Sequence, residues 1–154
     1  MENEIFKKKR VLKSIAEGRL VPLTEVNDAV FSKQMMGIGF AVTAHSGQIY
    51  APVSGKILSI FPTLHAITLE SENGDTLLIH LGLDTVELNG APFTVFVQEG
   101  ATVNAGQKLA EMDLSMLAKE GKDPVAIVVL PEVNKGELIK ENILVSIEDD
   151  VFRI

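Results

Sequence analysis

The feature that most constrains this chain is how often it is interrupted. Twelve glycines and six prolines divide 154 residues, and the stretches between them are short and rich in β-branched residues. Turn-like joints stand at His45-Ser46-Gly47, Pro52-Val53-Ser54-Gly55, Glu72-Asn73-Gly74-Asp75, Gln98-Glu99-Gly100 and Asn104-Ala105-Gly106. Such punctuation leaves no room for long helices and predicts an all-β chain, an antiparallel β-sandwich or barrel of short strands. The expected strands are Arg19–Pro22, Phe40–Ala44, Gln48–Ala51, Lys56–Phe61, Ala66–Glu70, Thr76–Leu81, Phe93–Val97, Gln107–Met112, Val125–Leu130 and Ile143–Ile147. One or two short helical turns fit between them. Asp28 can cap Val30–Met36, which ends at Gly37, and Asp113 can cap Leu114–Lys119, which ends at Gly121.

Composition narrows the class further. At 46% hydrophobic residues the chain has enough apolar surface to form a core, which excludes general disorder. The absence of cysteine excludes disulfides, thiolate metal sites and thiol nucleophiles. The longest apolar run, Val125–Leu130 between Pro124 and Pro131, is too short to span a bilayer, so a cytoplasmic location is expected. The net charge is −7, yet residues 1–14 carry five basic side chains (Lys7, Lys8, Lys9, Arg10, Lys13) against Glu2 and Glu4. The remainder is therefore strongly acidic. It repels phosphate backbones, arguing against a nucleic-acid partner, and favours a basic protein surface. Residues 1–14 are expected to be a basic, mobile segment and 15–154 one domain. The alternative for the basic segment is a weak contact with an anionic membrane surface.

Three histidines offer chemistry. His45 lies in a polar turn and reads as a solvated side chain. His80 lies in the apolar stretch Thr76–Leu81, and His65 begins the strand before Asn73-Gly74. An Asn-Gly pair favours a two-residue hairpin loop. That loop pairs Glu72 with Asp75, sets His80 opposite Ile67 and Gly82 opposite His65, and leaves the two histidines as diagonal neighbours on one face. A one-residue slip would separate them. Such a pair can bind a metal with Asp84 as third ligand, or act as a nucleophile with an electrostatic helper in phosphoryl transfer.

Four blocks of sequence resemble the glucose-type enzyme IIA domain of the bacterial phosphoenolpyruvate-dependent sugar phosphotransferase system. They are Asp28–Gly37, Gln48–Ile57, Phe61–Ala66 and, most specifically, Gly74–Leu88 with its His-Leu-Gly-Leu-Asp-Thr-Val core. The resemblance runs from about Gly18 to the last residue and makes 15–154 one domain of that type. It implies an antiparallel β-sandwich in which His80 takes a phosphoryl group on Nε2. The donor would be the phosphohistidine of the carrier protein HPr, and the acceptor a cysteine of an EIIB domain serving sugar uptake. His65 matches the second, unphosphorylated histidine that supports transfer. An alternative is a mainly regulatory protein that reports its phosphorylation state to transporters or metabolic enzymes.

A histidine nucleophile must be neutral and present one bare nitrogen, which a hydrogen bond from Nδ1–H to a carbonyl or hydroxyl would secure. His65 Nε2–H, with Thr63 Oγ, can supply donors to the transferring group. Glycine at 82 is expected to let a partner or backbone approach the ring. Transfer between phosphoramidates is nearly balanced and calls for no cofactor or metal, in keeping with the absence of a phosphate-binding Gly-rich loop. By resemblance, Val30, Phe31, Met36, Phe61, Leu78 and Val86 form the docking surface for HPr and the EIIB domain, with Asp28 and Asp84 at its rim. Two departures stand out: Gly37-Ile38-Gly39 replaces the family's usual Gly-Asp-Gly, and Val128–Glu132 replaces a Val-Val-Ile-Thr-Asn run.

Overall fold

Glycine and proline mark the strand ends in the fold as they do in the sequence. The computed structural model describes residues 10–154. All ten expected strands are present, some of them shorter: β2 Gly18–Pro22, β3 Ile38–Thr43, β4 Gln48–Tyr50, β5 Gly55–Ile60, β6 Ala66–Ser71, β7 Thr76–Leu81, β8 Phe93–Val95, β10 Lys108–Met112, β11 Ala126–Leu130 and β13 Ile143–Val145. Four others carry little sequence signal: β1 Val11–Lys13, β9 Thr102–Val103, β12 Glu137–Leu138 and β14 Asp150–Arg153. Every pairing is antiparallel. The large sheet runs β13-β2-β3-β11-β7-β6-β5-β9, and two three-stranded sheets, β1-β14-β12 and β4-β10-β8, complete the sandwich.

Alternation along the strands divides the apolar residues between two cores. Phe40, Val42, Leu77, Ile79, Leu81, Val128 and Leu130 face the main core, where they meet Ile49, Leu109 and Phe152. Their neighbours Ala41, Leu78, Ile127 and Val129 face the other way, into a smaller core that Leu23, Val26 and Phe31 cover. β7 lies inside the large sheet, between β6 and β11. A residue of β7 on the smaller-core face therefore has a rigid backbone beneath it and a thin cover above.

The expected basic segment needs correction where the structure describes it. Val11–Lys13 pairs with β14, and Leu12 and Ser14 are buried. Arg10 pairs with Asp75 at 3.0 Å and Lys13 with Asp150 at 2.8 Å. The adjacent buried residues Val151 and Phe152 of β14 supply the apolar partner that the basic run concealed. Residues 1–9, on which the membrane-contact reading mainly falls, lie outside the described residues.

The hairpin register also differs from expectation. β6 and β7 pair Ala66 with His80, Ile67 with Ile79 and Glu70 with Thr76, one residue away from the predicted alignment. The cause is a three-residue loop, Glu72-Asn73-Gly74, with Gly74 at φ +89°. The Ser71 hydroxyl accepts from Asn73 N at 3.2 Å and Asp75 N at 3.1 Å, which favours this turn over the two-residue form.

Two helices form as capped turns. In α1, Ala29–Ser32, Asp28 Oδ1 accepts from Val30 N at 2.9 Å. It is shorter than the expected Val30–Met36, because Gln34 adopts φ +55° and breaks the helical path before Gly37. In α2, Leu114–Lys119, the Asp113 side chain caps Met116 N and Gly121 follows at φ +68°, as expected.

Candidate functional site

His80 occupies the smaller-core face of β7, between Ala66 of β6 and Ile127 of β11. Its Nδ1 lies 2.8 Å from the Gly82 carbonyl oxygen. A carbonyl only accepts, so Nδ1 carries the hydrogen and, in the neutral ring, Nε2 is bare. Gly82 makes this possible through its own backbone. At φ +80° it turns its carbonyl back toward the ring, and a Cβ there would lie 2.6 Å from Thr85 Cγ2 and 2.9 Å from Asp123 O. The glycine is thus required by the loop itself, where backbone from residue 123 comes close. The buried Thr85 hydroxyl donates to Leu81 O at 2.6 Å and fixes the loop's far side.

Electrostatics keep the ring uncharged. Burial lowers the His80 pKa to about 4, the nearby His65 lowers it too, and the Gly82 bond, Asp28 and Asp84 oppose the shift. Phe31, its ring centroid 5.0 Å away, contributes to that burial.

His65 lies one residue outside β6, after Leu64 at φ +59°. In the observed register a regular strand continued through position 65 would point its side chain away from His80. The left-handed Leu64 ends that regularity, and the two rings meet edge to face with centroids 5.1 Å apart. The expected convergence is real, but it comes from the loop before β6 and not from the predicted pairing. Thr63 Oγ1 lies 2.6 Å from His65 Nδ1. When that hydroxyl donates, His65 Nε2 carries the hydrogen. Burial lowers the His65 pKa, and Phe61 packs against the ring edge at 5.4 Å.

Above the rings lies an open hollow of about 210 Å³ lined by Asp28, Val30, Phe31, Met36, Asp84 and Val86 from the expected set. Val30, Met36 and Val86, with the adjoining Phe61, are 38–48% exposed, an apolar border that a monomer gains nothing by showing to water. Leu78 does not belong to this surface. It is buried in the smaller core, two residues from His80 on the same face of β7. Sequence reasoning missed Leu83 and Thr85, which line the hollow within the very stretch that marks the histidine strand.

His45 is not solvated. It is buried, Gly47 N donates to its Nδ1 at 3.0 Å, and its Nε2–H donates to Pro124 O at 2.7 Å. Burial lowers its pKa against the opposing effects of the Pro124 bond and Asp123. Among the described residues no three His, Cys, Asp or Glu side chains gather as a metal site, and no helix is long and apolar enough to cross a membrane.

Fold and site together define an antiparallel sandwich whose single-tautomer histidine stands at an open, apolar, acid-rimmed surface beside a second imidazole. The family described as phosphoenolpyruvate-dependent sugar phosphotransferase system, EIIA 1, matches residues 10–136, and the chain belongs to it. Over 127 residues (82% of this chain) it is 46% identical to the PTS system glucose-specific EIICBA component of Streptococcus pneumoniae serotype 4, strain ATCC BAA-334 / TIGR4. The chain spans 17% of that protein's length. A solved structure, the glucose permease IIA from Mycoplasma capricolum, superposes with a TM-score of 0.86 at 36% identity, covering 96% of this chain and 97% of that one.

Proposed function

We propose that this chain is a phosphocarrier of the sugar phosphotransferase system, with His80 Nε2 as the atom that holds the phosphoryl group. The single observation that carries the reading is the Nδ1–H bond to Gly82 O, which leaves Nε2 bare on a ring that is neutral at pH 7. In the first step Nε2 attacks phosphorus of the HPr phosphohistidine. The Nε2–P bond forms as the donor's N–P bond breaks, and the donor nitrogen keeps the electron pair. In the second step a cysteine thiolate of an EIIB domain attacks, the S–P bond forms, and the electron pair returns to Nε2. Nδ1 keeps its hydrogen throughout.

His65 supplies a donor to the equatorial oxygens through Nε2–H, and Thr63 acts through His65 by donating to Nδ1. Thr63 is thus a positioning residue. Val30, Met36, Phe61 and Val86 form the apolar centre against which HPr and the EIIB domain dock, and Asp28 and Asp84 form its charged rim. The name of the pneumococcal relative joins EIIC, EIIB and EIIA in one component, which supports an EIIB domain as acceptor. On this reading the chain works at the cytoplasmic side of a sugar permease.

Incubation with phosphoenolpyruvate, enzyme I and HPr should add one acid-labile phosphate, mapped to His80 by mass spectrometry under neutral conditions. An unlabelled wild-type chain, or full labelling of His80→Ala, refutes the carrier role.

A further inference from the structure

The imidazole of His45 takes no direct part in this chemistry, yet both of its nitrogens are committed. Gly47 N donates to Nδ1 at 3.0 Å, so Nε2 carries the hydrogen that reaches Pro124 O at 2.7 Å. Pro124 is the middle of three residues that lead into β11. The carbonyls on either side of it hold the loop after β7: Leu83 N donates to Asp123 O at 3.0 Å, and Gly82 N donates to Val125 O at 2.8 Å. Val125 N donates back to Asp123 Oδ1 at 2.9 Å, which stiffens the segment. The carbonyl of Gly82 in turn receives His80 Nδ1–H. β3, β11 and β7 are adjacent in the sheet, so the residues after β3, before β11 and after β7 meet along one border. His45 grips the middle carbonyl, the outer two grip the loop, and the loop sets the tautomer of His80.

We propose that His45 is a positioning residue for His80, holding residues 123–125 so that the Gly82 carbonyl stays aimed at His80 Nδ1. The inference rests on His80 being the phosphoryl acceptor. The site requires a donor toward Pro124 and an acceptor for Gly47 at a fixed span. An apolar side chain orphans both partners in a buried place, whereas Gln offers an amide N–H and an amide oxygen in one side chain.

The test reads the ¹⁵N imidazole spectrum of His80 and the kinetics of loading by phospho-HPr in wild type, His45→Leu and His45→Gln. Wild type should show one Nδ1–H tautomer. In His45→Leu the tautomers should mix and kcat should fall about tenfold with KM for phospho-HPr unchanged, because the docking hollow is untouched. His45→Gln should restore the single tautomer and bring kcat within about threefold of wild type. A folded His45→Leu that keeps the wild-type tautomer and kcat overturns the proposal. Should that variant fail to fold, His45→Asn takes its place, since it can still accept from Gly47 but falls short of Pro124; wild-type behaviour there overturns the proposal equally. The tautomer signal is independent of phosphate. Absence of loading in wild type therefore counts against the carrier role, and an unperturbed tautomer in the variants counts against His45.

Discussion

His80 is neutral because β7 places it under Phe31 and beside a second imidazole, and that placement links its chemistry to stability. Its pKa is lowered to about 4 by burial first and by His65 second, whereas an unfolded histidine titrates near 6.5. Between those values the unfolded chain binds more protons than the folded one, so stability declines as pH falls through that window and is full above it. The loss from His80 alone should be on the order of 3 kcal/mol by the time pH reaches its folded pKa. His45 and His65, also lowered by burial, act in the same direction. Urea midpoints measured from pH 7.5 to 4.5 should fall steeply in wild type and less steeply in His80→Asn; parallel curves would contradict the assignment. His65→Gln makes a separate prediction. It should still let His80 load but slow delivery to the EIIB cysteine roughly 10–100-fold, as loss of one donor to a transferring group commonly does. Stopped-flow transfer at the normal rate would remove His65 from the mechanism. At this scale the sequence is legible where a residue sits inside a motif, as His80 does. It fails at His45, because polar neighbours suggest solvent while a carbonyl from residue 124, distant in the chain, encloses the ring.

Elements were legible in proportion to their length and to how locally their ends are determined. The capped α2 is foretold to the residue because Asp113 and Gly121 act within a few positions of each other. β12 and β14 are not, because each has only a few residues with which to show alternation, and β14 is held on its other side by β1 from the far end of the chain. The β6–β7 hairpin lies between these cases. Asn73-Gly74 announces a turn, but a serine hydroxyl at Ser71 selects the three-residue form and shifts every pairing by one. The two imidazoles still meet despite that shift because His65 sits beyond the strand, where Leu64 rather than the register sets its direction. α1 carries a testable duality, since Asp28 caps the helix and also favours the charged form of His80. Asp28→Asn keeps a capping acceptor and removes the charge, whereas Asp28→Ala removes both. Asn should leave stability nearly unchanged and lower the His80 pKa, read by imidazole NMR titration. Ala should in addition cost about 1 kcal/mol in urea denaturation. Equal losses in the two variants would mean that charge, not capping, stabilises this turn.

The whole molecule brings an apolar patch and a net charge of −7 to its encounters. These do different work. Val30, Met36, Phe61 and Val86 can exclude water only after contact, while Asp28, Asp84 and the surrounding negative field act before it. Screening separates the two, because added salt shortens the reach of exposed charges and leaves apolar contact largely intact. Loading by phospho-HPr at sub-saturating concentration should therefore slow about tenfold between roughly 20 mM and 500 mM NaCl. The single-turnover rate within the saturated complex should change little over the same range, since in the proposed mechanism His65 acts on the transferring group inside the docked surface. Asp28→Asn combined with Asp84→Asn should flatten the salt dependence and lower kcat/KM without lowering kcat. Were kcat to fall in step with kcat/KM, the rim carboxylates would be acting on the transferring phosphoryl group itself, and the division between a steering rim and a reactive histidine pair would have to be abandoned.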